Sequence, residues 1–79
     1  MPRYFFDVLD QGSTHLDHSG TTFSNYVEAR QEASRLLYDM AHDYGALAAA
    51  EIDITVAVRC AAQEPFCRIR MQVTFEQLA

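Results

Sequence analysis

The chain has no lysine and no tryptophan, and only two prolines, three glycines and two cysteines. All six basic side chains are therefore arginine, and eleven Asp and Glu bring the net charge to −5. That balance argues against a phosphate-backbone binder, which shows a basic face and a high pI. It argues equally against a peripheral membrane helix rich in Lys and Arg. No apolar run approaches the ~20 residues needed to cross a bilayer. The opening stretch Met1 to Asp7 lacks the apolar core of about 7–15 residues that marks a signal peptide. A cytoplasmic domain without membrane contact is the expectation. In that setting two cysteines read as free thiols. Six residues separate Cys60 from Cys67, so they form no CxxC pair. Two thiols without clustered His make no four-ligand zinc site within one chain. No cofactor is expected.

What remains is an ordinary globular mixture, 49% hydrophobic and 22% charged over 79 residues. That is one small domain, residues 1–79. A chain this short buries only a little over ~60% of the surface its unfolded form exposes. With no disulfide framework to help, a homodimer is the structural expectation.

The few glycines and prolines divide the chain into four pieces. Arg3 to Leu9 is aromatic and β-rich and reads as a strand. Tyr4, Phe6 and Val8 share one face; Phe5, Asp7 and Leu9 share the other, which Asp7 marks as outward. Asp10 to Thr14 and Asp17 to Gly20 read as turns, with Gly20 placed for positive φ. Thr21-Thr22-Phe23 reads as a short edge strand. A helix starts at Ser24 or Asn25, with Asn25 and Glu28 at capping-box spacing. Tyr26, Ala29, Ala33, Leu36, Leu37, Met40 and Tyr44 form its apolar stripe, and Glu28, Gln31, Glu32, Arg35 and Asp39 its wet face. The stripe makes Tyr26, Met40 and Tyr44 core residues. Gly45 is a plausible stop, while Ala46 to Ala50 leaves a further turn open.

The last two pieces alternate with period two. Ile52, Ile54, Val56, Val58 and Cys60 fall on one parity; Cys67, Ile69, Met71, Val73 and Phe75 fall on another. Each is a strand with one buried face, and together they read as a hairpin. Pro65 favours a loop of four or more residues. Setting Cys60 opposite Cys67 places Val58 against Ile69, Val56 against Met71, Ile54 against Val73 and Ile52 against Phe75. A one-residue slip would set apolar against polar along the whole ladder. The predicted fold class is α+β, ββαββ, an antiparallel-rich sheet with one long helix packed on one face.

The opening Met1-Pro2-Arg3-Tyr4-Phe5-Phe6-Asp7-Val8 closely resembles the start of a family of short, mostly alphaproteobacterial proteins. The family is catalogued as domain of unknown function number 6894. Asp17 and Gly20 match its Asp-x-x-Gly turn. Ala29-Arg30 and Glu32-Ala33 match its Ala- and Glu-rich helix, and Val73-x-Phe75 looks like its Val-Pro-Phe ending. The resemblance departs at the last hairpin, where family members usually have a tight acidic turn with Gly and this chain has Ala61 to Phe66 without Gly. No activity is established for the family, so the resemblance implies a fold and a bacterial cytoplasmic setting but no reaction.

The outer face of the hairpin carries Arg59, Arg68 and Arg70, the candidate anion or partner contact. In the register above Arg59 stands directly across from Arg68, with Arg70 diagonal, and like charges so placed repel. Solvent, an acidic side chain such as Asp7 or Asp53, a second subunit or an anionic ligand must compensate. A sheet with aromatics and Arg suits single-stranded RNA, but Phe5 is the only outward aromatic and the net charge is −5. His15, Asp17 and His18, with Asp10 nearby, carry metal-ligand chemistry. Their spacing is no known signature, and Asp17 better suits the turn ending at Gly20. No Gly-rich phosphate loop, nucleophile elbow or HExxH is present. Both cysteines fall on buried parity, where thiols are usually inert. The chain also has little room for a ~300 Å³ pocket. An enzyme is not expected. Opposed cysteines would permit a cross-strand disulfide if their Cα atoms came within ~7 Å. The expected function is a non-enzymatic protein-protein interaction module acting as a homodimer. The alternative is a small anion- or nucleic-acid-binding protein using the arginine cluster.

Overall fold

The computed structural model describes residues 1–46, 51–61 and 63–78. In chain order the elements are β1 Arg3–Asp10, β2 Ser13–His15, β3 Thr21–Thr22, α1 Tyr26–Ala46, β4 Glu51–Arg59 and β5 Cys67–Thr74. The sheet runs β2-β1-β4-β5, with β3 also on β1. Every pairing is antiparallel. With α1 on one face, this is the expected α+β arrangement. One element was not anticipated: β2 folds back on β1 through Gln11 and Gly12, both at positive φ (52° and 86°). That geometry matches the right-handed twist of the two strands, which is why two-residue hairpin loops favour it.

The inner face follows the period-two reading. Tyr4 and Phe6 of β1 and Ile52, Ile54, Val56 and Val58 of β4 are buried against Ala29, Ala33 and Leu37 of α1. Leu36, Met40 and Tyr44 pack partly buried around them. Tyr26 does not belong to the core, contrary to the stripe reading: it stands 54% exposed in the first turn of α1. Core packing begins one turn later, at Ala29. The Asn25 side chain accepts the Glu28 N–H at 3.1 Å, and the Glu28 carboxylate accepts the Ser24 N–H at 3.2 Å. This capping arrangement starts the helix where the spacing predicted. Gly45 does not stop it, since α1 runs to Ala46. The further turn left open beyond Ala46 lies outside the described residues.

The β4–β5 register differs from the predicted one by two residues. Cys67 pairs with Val58, Ile69 with Val56, Met71 with Ile54 and Val73 with Ile52. A two-residue shift leaves every side chain on its expected face, so alternation cannot distinguish the two registers. The loop decides between them. It runs from Cys60 to Phe66, with Ala61 at φ 53° and Gln63 donating to the Cys60 carbonyl at 3.1 Å. Cys60 therefore leaves the ladder, and the two cysteines do not face each other.

Residues 16–20 fold across the outer face of β1. Gly20 adopts φ +72° there, and a Cβ on it would lie 2.8 Å from Arg3 Cγ, 2.9 Å from Phe5 Cε1 and 3.0 Å from the Tyr4 carbonyl oxygen. Both the backbone conformation and the close approach require glycine. We predict that Gly20→Ala destabilises the protein by about 1–3 kcal/mol. Thermal melting followed by circular dichroism checks this; an unchanged melting temperature would contradict it.

Candidate functional site

Odd-numbered positions of β4 and even-numbered positions of β5 point away from α1, so Arg59, Arg68 and Arg70 do share the outer face. They do not act as one cluster. In the observed register Arg59 lies opposite Phe5 of β1, Arg68 opposite Ala57 and Arg70 opposite Thr55. The expected face-to-face contact of Arg59 and Arg68 is absent, because the two-residue shift moves Arg68 one diagonal step along β4.

Arg59 is consumed internally. Its Nε donates to Asp7 Oδ2 at 2.7 Å, and one terminal nitrogen donates to Asp7 Oδ1 at 3.3 Å and to the Asp17 carbonyl at 3.0 Å. Its other terminal nitrogen donates to the Ala61 carbonyl. The guanidinium carbon sits 4.7 Å from the centroid of the Phe5 ring, which adds a cation–π contact. Asp7 is on the outer face as predicted, yet it is buried, only 7% exposed. The segment around Asp17 covers it, and the Asp17 N–H donates to Asp7 Oδ1 at 3.0 Å.

Asp17 forms the other half of this knot. Its Oδ1 accepts the N–H groups of Ser19 (3.1 Å) and Gly20 (3.0 Å), and its Oδ2 accepts the Phe6 N–H at 3.1 Å. Phe6 lies in the gap between the stretches of β1 paired with β3 and with β2. The carboxylate thus takes the place of a missing strand residue. Asp17 is a turn residue, as the sequence suggested. His15 and His18 are exposed, and Asp10 lies on the inner face, where it accepts a hydrogen bond from the Tyr44 hydroxyl. Among the described residues no three His, Cys, Asp or Glu side chains gather around one point.

Arg70 is also paired, through Nε to Asp53 Oδ1 at 3.0 Å and a terminal nitrogen to Asp53 Oδ2 at 2.9 Å. Asp7 and Asp53, the acidic side chains that the sequence offers as compensating groups, each take one arginine. Arg68 alone of the three has no ion pair or side-chain hydrogen bond among the described residues. It stands with Arg70 and Pro65 at the rim of an outer-face trough of about 450 Å³ floored by Leu9, Thr55 and Ala57. The trough is larger than a chain of this length was expected to carry, and it lies open along the sheet. Cys60 and Cys67 are half-buried free thiols. Burial pushes the Cys67 thiol above its usual range, against a smaller opposing pull from Arg30. A raised thiol is a poor nucleophile at neutral pH.

What sequence reasoning missed is the burial of Asp7 and its link to Asp17. The available signal was an acidic residue inside an otherwise apolar, aromatic strand: such a charge needs a partner when covered.

Burial works against the charge on both aspartates. For Asp7 the Arg59 hydrogen bond and the Asp17 N–H outweigh it, and for Asp17 the N–H groups of Gly20, Phe6 and Ser19 do so. Both carboxyls end below the ordinary aspartate range. A lowered pKa in the folded state means stability that is present above the ordinary value of about 3.9 and lost as pH falls from there toward the depressed value. We predict flat stability near neutrality and a decline below about pH 4. Asp7→Asn lowers the melting temperature at pH 7 by at least about 4 °C, and the acid-side slope becomes shallower. Melting curves from pH 2.5 to 7 test both; a variant with the parental slope would refute the assignment to Asp7.

No curated protein and no solved structure matches the chain. A family model does, over residues 3–72, which takes in β1 through most of β5. The chain, whose described residues form one helix on a five-stranded antiparallel sheet, belongs to the family described as Domain of unknown function (DUF6894).

Proposed function

We propose that the chain is a non-enzymatic protein-protein interaction module of the bacterial cytoplasm that acts as a homodimer through the open edge of β5. The observation that carries this reading is β5 itself. It is an eight-residue strand paired, among the described residues, on one side only, to β4. An unpaired strand of that length presents a row of free backbone donors and acceptors, and proteins use such rows for strand addition. The side chains of β5 support the same reading. Helix α1 packs mainly over β4, so Cys67, Ile69 and Met71 are only half-buried and Val73 is 37% exposed. A second copy offers both missing partners at once: a strand for the edge and apolar side chains for the half-covered inner face. Light scattering of purified protein at high micromolar concentration should return twice the 9.0 kDa chain mass. A strict monomer would remove the proposal.

A second reading, contact with an anionic ligand, rests on Arg68, whose guanidinium beside the outer trough has no carboxylate partner among the described residues. Arg59 and Arg70 contribute less, since each already holds an aspartate. In this reading inorganic phosphate raises the melting temperature of the parent, and Arg68→Gln abolishes the rise. A parent protein indifferent to phosphate would dispose of it.

A further inference from the structure

The identity of the residues along β5 and the tail that follows it selects one way of joining two copies. This inference rests on the homodimer reading above and specifies its register. Two β5 strands meeting antiparallel about a two-fold axis perpendicular to the sheet keep inner side chains beside inner ones only when the axis passes through a residue. Four axis positions bring most of the strand into contact, and they differ sharply in charge. With the axis at Ile69, Arg68 faces Arg70 of the other copy, twice. At Arg70, that residue faces its own copy. Like charges directly opposite each other on paired strands are destabilising. At Met71 the arginines face Thr74 and Gln72, which is neutral.

At Gln72 the pairing is complementary throughout. Arg68 faces Glu76 of the second copy, Ile69 faces Phe75, Arg70 faces Thr74 and Met71 faces Val73. Arg68 and Glu76 are both exposed, and neither has a side-chain partner among the described residues. Phe75 and Val73 are exposed at 76% and 37%. Four otherwise unsatisfied side chains of each copy thus find a chemically matched partner in one operation. An aromatic ring opposite a β-branched residue is among the favourable cross-strand pairs.

We infer that the protein dimerises by antiparallel β5–β5 addition with the two-fold axis at Gln72. The strand extends through Phe75 and Glu76, and Arg68–Glu76 ion pairs close both ends. The product is a continuous sheet reading β2-β1-β4-β5 and back again, with both helices on one face. The partner is a second copy of this chain, recognised by backbone hydrogen bonds and by the order of charges along the edge.

Charge reversal tests the register. Arg68→Glu alone and Glu76→Arg alone each create two like-charge contacts per dimer and should weaken association on the order of tenfold in sedimentation equilibrium. The double variant Arg68→Glu with Glu76→Arg restores opposite charges and should return association to near the parental value. Both positions are exposed, and circular dichroism confirms that each variant is folded. A second measurement reads geometry directly. In a chain carrying Cys60→Ala and Cys67→Ala, Gln72→Cys places two thiols across the axis, where paired Cα atoms lie about 4.5–5.5 Å apart, within disulfide reach. Mild oxidation should then give a covalent dimer, whereas Arg70→Cys in the same background should not. A parent that is monomeric throughout overturns the homodimer reading itself. A dimer whose double variant is not rescued, or that cross-links at Arg70→Cys, leaves that reading standing and overturns the register.

Discussion

The fold turns on the contact between Arg59 and Asp7. One guanidinium joins three parts of the chain that are distant in sequence: β1 through the Asp7 carboxylate, the segment across the sheet through the Asp17 carbonyl, and the β4–β5 loop through the Ala61 carbonyl. Asp7 could not stay charged in its covered position without this partner, because burying an unpaired carboxylate is costly. The covering segment in turn could not lie so close without glycine at position 20. The buried ion pair, the turn and the missing Cβ are therefore one device, and a change in any of them acts on the other two.

Asp17 extends that device to the edge of the sheet. One of its oxygens closes the turn on Ser19 and Gly20, and the other reaches the Phe6 N–H in the interval between β2 and β3. Two strands of three and two residues would protect β1 poorly by themselves. The carboxylate joins them into a single border. On the opposite face the aromatic rings of Tyr4, Phe6 and Phe23 pack with centroids about 6 Å apart (Tyr4–Phe23 6.3 Å, Phe6–Phe23 5.9 Å). The same segment that covers the outer face thus delivers Phe23 to the core.

Much of this was legible because it follows from short-range periodicity. The alternation in β4 and β5, the helix stripe from Ala29 to Tyr44 and the Asn25 cap depend on neighbours two to four residues apart, and each is found as read. The errors fall where the deciding contact is distant or geometric. Alternation has period two, so it cannot choose between registers that differ by two, and the positive φ of Ala61 that makes the choice has no signature in an alanine. Tyr26 lies at the correct angle around the helix but precedes the point where α1 meets the sheet. The three arginines share a face, as parity requires. Their separation into one buried clamp, one surface pair and one unpaired group depends on which carboxylate lies diagonally across, and that is known only once the register is known. The link from Asp7 to Asp17 crosses ten residues and has no periodic signal at all.

The two borders of the sheet are unequal. On one side the short strands β2 and β3 and the Asp17 carboxylate cover the edge of β1; on the other, the eight-residue β5 has no neighbour beyond β4 among the described residues. Such lopsidedness limits the size of any assembly built by extending the sheet. In the proposed dimer the margins left outermost are β2 and β3, strands of three and two residues, which are short templates for a further addition. A small sheet with aromatic strands would in that dimer close its long edge a single time, an arrangement that opposes continued stacking.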